Sequence, residues 1–463
     1  MTDIGALLDR IGGLGARRRP LRALAASGQL GYGIPEKAFR AGLEQRPDFI
    51  GCDMGSVDPG PYYLGSGKMA TSPAVTRRDL HMVLTGARRL GVPLILGSAG
   101  TAGAFPHLEA ALDIIRAIAR EEGLHFRLAI IRADISSEVV KKALRENRLR
   151  PLGKIPDITE ANIDACTHIV GQMGTEAFVR ALKTGADVII AGRSCDTAVF
   201  AAIPQLLDYP MGLVMHMAKI IECTSICCTP GGRDAILGLL DDDGFVLDSM
   251  NPARHATPMS VAAHSLYEQA DPFSVTEPEG TLWVDNARYE VLDEHRTRVS
   301  GARWQPATRL TVKIEGSGRE GERAVLLAGS CDPGFIADIR TILKDVEEVV
   351  RSIYPGDYRL YIRLYGLDGV THWASPPTVP PREIFILVES IAPTAEQVGT
   401  AVGVFKQYLL HHGFPGRFST GGNIAFPFTP PELEAGTAYC FRIYHVMDAE
   451  DLASLFPIEV EVV

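Results

Sequence analysis

The feature that most constrains this chain is a series of short, wholly apolar stretches, each closing on glycine, serine or aspartate and alternating with segments of helical periodicity. Residues 47–53 (PDFIGCD), 91–96 (GVPLIL), 128–131 (LAII) and 186–191 (ADVIIA) are of this kind. Between them, residues 106–122 place Leu108, Leu112, Ile115, Ile118 and Ala119 on one helical face, and 139–147 and 175–183 read as further helices. A strand that is apolar on both faces needs cover on both faces, so the pattern predicts a parallel sheet with helices on either side. In such sheets ligands bind beyond the carboxyl ends of the strands. The Gly-, Ser- and Asp-rich segments fall directly there.

The rhythm changes along the chain. Residues 224–303 break into loops, short strands and one helix at 260–269. From about residue 304 the strands alternate, as in 310–314, 359–365 (RLYIRLY), 384–390, 439–445 and 458–463, and helices are expected at 335–352 and 394–412. The expected fold is therefore α/β, a parallel-sheet domain over 1–300 followed by a smaller α+β domain over 301–463, with a ferredoxin-like order in view. A chain of 463 residues is too long for one small core.

The formal net charge of −10 argues against nucleic acid or an anionic membrane as principal partner, since both select basic surfaces. The one basic cluster, Arg17, Arg18 and Arg19, reads as a solvated turn rather than an anion site. No stretch reaches the ~18 apolar residues of a membrane span, and Asp3 and Asp9 argue against a secretory signal. Eight cysteines are too few for a disulfide framework, and the expected location is the cytoplasm.

Three segments after strands carry the chemistry. Asp53 to Lys68 (DMGSVDPGPYYLGSGK) combines restricted backbone with Asp53, Ser56, Asp58, Tyr62 and Lys68, groups suited to acid/base work and anion pairing. Residues 97–103 (GSAGTAG), with Ser98, Gly100 and Thr101, precede a helix; they offer either an amide seat for a carboxylate or close packing of helix on sheet. Residues 192–196 (GRSCD) supply Arg193 as a bidentate carboxylate clamp, with Ser194 beside it and Asp196 as orienter, helix cap or base.

Further on, residues 216–232 hold His216, Lys219, Glu222, Cys223, Cys227 and Cys228. His216 and Glu222 are candidate acid/base groups, and His264 has a weaker case. The cysteines lack the paired spacing of a zinc site and read as buried thiols. No metal ligands are assigned and no cofactor is predicted, although a divalent metal is left open. Neither a Walker loop nor a dinucleotide fingerprint is present. No nucleophile elbow occurs, so a hydrolase using Ser98 or Cys195 is only a rival. In the last third, Arg363, Tyr365 and Gly366, and the turn 417–428 (RFSTGGNIAFPF, including Ser419 and Thr420), are rich in hydrogen-bonding groups.

Taken together, DPGPYYLGSGK, GSAGTAG, ADVIIAGRSCDTAV, HMAKIIEC, Leu266-Tyr267-Glu268 with Asp271-Pro272, and RFSTGGNIAFPF resemble the acyclic terpene utilisation (AtuA-like) family. The resemblance implies catabolism of small or terpenoid acids through CoA thioesters and a small companion subunit, while no residue here reports a long apolar substrate.

The expected function is a cofactor-independent lyase, a hydro-lyase, acting on a small carboxylic acid or its CoA thioester. Arg193 and the 98–103 amides would hold the carboxylate, Lys68 or Tyr62 would protonate the leaving hydroxyl, and Asp58 or Glu222 would take the α-proton. The alternative from another class is a non-catalytic acyl-binding or scaffold subunit, favoured by an apolar face with Phe426, Phe428 and Phe456. The strand edge at 458–463 suggests an oligomer.

Overall fold

The computed structural model describes residues 19–371, 379–418 and 421–463. Arg17, Arg18, Asp3 and Asp9, and Ser419 and Thr420 of the C-terminal turn, lie outside the described residues.

The expected apolar strands form, and they are parallel. Leu21–Ser27, Phe49–Asp53, Leu94–Gly97, Val188–Ala191 and Arg127–Ile131 lie side by side in that order. The register places Ile50 opposite Leu94, Leu94 opposite Val188, and Leu128 opposite Val188. Alternate residues feed two separate cores. Ala23, Phe49, Ile95, Ile131 and Ile189 point into one. Leu24, Ile50, Leu96, Ile130 and Ile190 point into the other. This is the period-two signature of a sheet buried on both faces.

The helices Thr175–Leu182, Asp196–Leu206 and Met211–Ile221 cover the first face, while Glu36–Glu44, Pro73–Leu90 and Phe105–Glu122 cover the second. The helix Phe105–Glu122 buries Leu108, Leu112, Ile115, Ile118 and Ala119, the stripe read from its spacing. Close approach explains one glycine: a Cβ on Gly51 would collide with the Phe200 ring, which is fully buried over the strand. Losing that ring would cost about 3–5 kcal/mol.

The sheet departs from the expected one at its margins. It has ten strands among the described residues and is mixed, because both flanks are antiparallel. Ile236–Leu240 pairs antiparallel with Leu21–Ser27, and beyond it come Phe245–Ser249, Thr297–Ser300 and Arg288–Val291. At the other margin Ile458–Val462 lies antiparallel on Arg127–Ile131. The expected helix at 260–269 is shorter, Pro258–His264, capped reciprocally by Thr257 and Ser260. A separate small sheet joins Ser274–Glu277, Gly280–Trp283 and Arg303–Pro306.

The chain divides into two compact units, one of residues 1–318 with 441–463 and the other of 319–440. This corrects the expected split at 300, since the last strand belongs to the first unit and Phe456 is buried in that unit's core rather than on an exposed apolar face. Within the first unit, Lys313–Ser317 of the strand Thr311–Ser330 pairs antiparallel with His168–Gln172. The second unit runs strand, helix, strand, strand, helix, strand, the order of a ferredoxin-like domain. Its sheet order is Arg359–Tyr365, Ile384–Ala392, the end of Thr311–Ser330, then Glu432–Asp448. The helices Pro333–Ile353 and Ala395–His411 pack Phe335, Ile339, Val346 and Phe405 onto Ile386 and Val388.

Candidate active site

Two of the sequence-predicted turns lock together at the carboxyl ends of the central strands. The amides of Ser98 and Ala99 donate to the carbonyls of Gly192 (3.1 Å) and Ala191 (2.9 Å), and Arg193 N–H donates to Gly103 O (3.1 Å). A Cβ on Gly103 would collide with the backbone of Arg193, so glycine is required where the two turns touch. Thr101 N–H donates to Ser98 O and Gly103 N–H to Ala99 O. The turn at Ser98, Gly100 and Thr101 is therefore buried and the amides of Ser98, Ala99, Thr101 and Gly103 are committed, which favours close packing there over a carboxylate seat. Ser98 and Thr101 hold φ of 46° and 96°, a strained region for residues with side chains.

Just beyond these turns lies a pocket of about 550 Å³ within the first unit. It is lined by Ser56 and Asp58, by Arg193, Cys195, Asp196 and Thr197, by Lys219 and Glu222, by residues 268–271 and 274–277, and by Gln172 and Lys313. Several elements build it. The helix Asp196–Leu206 begins at its wall with Cys195 as N-cap, and Asp196 makes no capping bond. The helix Met211–Ile221 presents Lys219 and, one turn on, Glu222. Glu277 comes from the small sheet, and Lys313 from the strand paired to His168–Gln172.

Two ion-pair systems dominate. Arg193 Nε donates to Glu315 Oε2 at 2.9 Å, and Lys313 Nζ meets Glu315 Oε1 at 2.7 Å. Arg193 and Glu315 are almost wholly buried. Burial opposes both charges, yet the mutual attraction outweighs it, holding the carboxyl below its usual range and the guanidinium above. Arg193 thus has its fork filled by Glu315 and is not the free carboxylate clamp expected of it.

In the second system Lys219 Nζ meets Glu222 Oε1 at 2.6 Å. Glu222 is buried and its Oε2 has no hydrogen-bond partner. Burial pushes its carboxyl up to about 8, with Lys219 opposing and the charge of Asp196 adding to the rise. Asp196 and Glu277 are also raised by burial, and Asp53 is raised by burial and by Asp196. Glu277 accepts from Thr197 Oγ1 at 2.9 Å. A carboxyl poised near neutrality beside an ammonium, as Glu222 is beside Lys219, is a working part of proton transfer.

Several expected residues do not reach the pocket. Lys68 is exposed elsewhere, and Tyr62 packs edge-on to Tyr63 with centroids 5.4 Å apart; neither is among the lining residues. His216 is a core histidine, edge-on to Phe245 and Tyr289 and 3.2 Å from Ser265 Oγ, and burial holds it down to about 3, hence neutral. Asp53 and Ser194 stand behind the wall: Asp53 Oδ2 accepts from Gly55 N–H at 2.7 Å, and Ser194 Oγ accepts from Ser98 N–H at 3.2 Å. Asp58 and Ser56 do line the pocket and bond to each other at 2.6 Å.

The Cys195 thiol is raised by burial and by Glu277, so it stays protonated, and Ser98 has no base beside it among its hydrogen bonds to Arg193 and Ser194. Both facts weigh against the hydrolase rival. Among the described residues no three His, Cys, Asp or Glu side chains converge as a metal site. Sequence reasoning passed over Glu277, Lys313, Glu315 and Gln172, and it gave Lys219 no role. Its spacing relative to Glu222, one helical turn apart, was the available signal.

Among the described residues no helix is long and apolar enough to cross a membrane. Comparison with curated proteins found no match, and comparison with solved structures found none either. The family model for the acyclic terpene utilisation family protein AtuA matches residues 76–208 and 246–432, most of the chain and much of the pocket wall. The chain belongs to the acyclic terpene utilisation family AtuA.

Proposed function

We propose that this protein is a lyase of the hydro-lyase type, acting on a small carboxylic acid or its thioester. The observation that carries the reading is the buried Lys219–Glu222 pair in the pocket, with Glu222 pushed up to about 8 and its second oxygen unpartnered. Glu222 as carboxylate takes the α-proton. The released electron pair enters the adjacent carbonyl as an enolate, whose oxygen the Lys219 ammonium stabilises. The enolate then collapses to the double bond as the β-hydroxyl leaves, taking a proton from Glu277 to depart as water.

Lys219 and Glu277 here replace Arg193, Lys68 and Tyr62 in the roles first expected of them. The pocket has few apolar lining residues, Ala270 and Val275 among them, which supports a short polar substrate over a long terpenoid chain. The test is a screen for enoyl absorbance over hydroxy and unsaturated acids and their thioesters, with and without a small companion protein. Turnover should fall at least ~100-fold in Glu222→Gln. A rate unchanged in that variant removes Glu222 from the chemistry, and silence across the whole panel removes the lyase reading.

A further inference from the structure

Among the buried atoms of the pocket the unmet hydrogen-bonding capacity is one-sided. Its cations are engaged, Arg193 and Lys313 with Glu315 and Lys219 with Glu222, and Thr197 donates to Glu277. The two lining atoms that are buried without a partner, Asp196 Oδ1 and Glu222 Oε2, are both carboxylate oxygens. Asp196 has no side-chain hydrogen bond or ion pair at all among the described residues, and Glu222 is only 2% exposed. Asp196 and Glu222 repel each other electrostatically, and Glu268 adds negative charge to the same wall. Elsewhere on the pocket lining, Arg193 and Lys313 share the single carboxylate of Glu315, with the Lys313 ammonium on the pocket surface. One wall therefore asks for a donor-bearing cation and the other accepts an anion.

Resting on the lyase reading above, we infer that the substrate is a small amino acid. Its protonated amine binds Asp196, next to Glu222, and its carboxylate binds Lys313. A divalent metal ion fits the acidic wall less well, because no three acidic side chains converge on a common point among the described residues. An ammonium is satisfied by two or three acceptors. The amine would also bring the α-carbon to the unpartnered Glu222 oxygen, the atom assigned to remove the α-proton.

The test is calorimetric binding of three acids with one skeleton, 2-aminobutyrate, 2-hydroxybutyrate and butyrate, and separately of magnesium chloride alone. The amino acid should bind at least about tenfold more tightly than either analogue, the value of one charge-assisted hydrogen-bond set. That advantage should vanish in Asp196→Asn, whereas Lys313→Gln should weaken all three acids alike. Butyrate or the hydroxy acid binding as well as the amino acid overturns the inference, as does failure of all three to bind. So does magnesium binding that Asp196→Asn abolishes. Should Asp196→Asn not fold, the wild-type ratio decides. A β-hydroxy amino acid such as serine that binds but is not turned over sinks the lyase reading and leaves the subsite standing. β-Hydroxy acids turned over with no amine preference do the reverse.

Discussion

Replacing Glu315 by Gln removes the one carboxylate that Arg193 and Lys313 share. Glu315 is fully buried, Arg193 is 3% exposed and Lys313 is partly buried, so two cations lose the carboxylate they both contact. Breaking a buried pair in this way costs about 3–5 kcal/mol, because the surviving charge keeps its desolvation penalty. At roughly 2 °C per kcal/mol for a unit of this size, the melting temperature should fall by about 6–10 °C.

The sign with pH follows from the carboxyl being held below its usual range. The triad's contribution is complete above the unfolded-state pKa of ~4.3 and is lost as pH falls through the lower native value. Differential scanning calorimetry at pH 7 and pH 4 measures both effects, and the gap between wild type and Glu315→Gln should narrow at the lower pH. A variant melting within 1–2 °C of wild type at pH 7, roughly 1 kcal/mol or less, would refute the argument that this triad organises the pocket wall.

Three further outcomes are expected. Asp79 is fully buried and accepts from the amides of Gly31, Gly33 and Ile34 at 2.9–3.0 Å, so Asp79→Ala should cost at least ~3 kcal/mol by denaturant titration. Faster hydrogen exchange at those three amides would accompany the loss. Gly103→Ala places a methyl against the Arg193 backbone at φ +67° and should lower stability by about 2–4 kcal/mol, with binding in the pocket lost as well. For Glu222, the native value of about 8 lies above the ordinary 4.5, so the folded state holds the extra proton between them. Wild-type stability should then decline as pH rises across that window, by up to roughly 5 kcal/mol, and Glu222→Gln should flatten the slope in urea titrations.

What could be read from the residues was governed by range. The apolar strands at 94–97 and 188–191 and the stripe of Phe105–Glu122 declare themselves locally, because burial on both faces and a 3.6-residue period leave a direct mark. The antiparallel flanks do not. Ile236–Leu240 pairs with Leu21–Ser27 across more than two hundred residues, and Ile458–Val462 returns to Arg127–Ile131 across more than three hundred. No local period encodes such partners.

The site divides in the same way. Asp58, Arg193, Asp196 and Glu222 were visible because they follow strands or cluster with other polar groups, and all four line the pocket. The fate of Arg193 was not visible, since its partner Glu315 lies 122 residues away on a strand that reads as ordinary alternation. His216 misled for the opposite reason: it sits beside Lys219 and Glu222 in sequence, but its side chain is buried against Phe245 and Tyr289.

The most direct test of the account is the ionisation of Glu222 itself, followed by carbon-13 NMR of glutamate-labelled protein with Glu222→Gln to assign the resonance. A carboxyl signal that is absent in the variant should titrate with a midpoint of about 8. A midpoint at the ordinary carboxylate value of ~4.3 would contradict it, because Glu222 would then be a plain salt-bridge partner of Lys219 with no proton to exchange near neutrality.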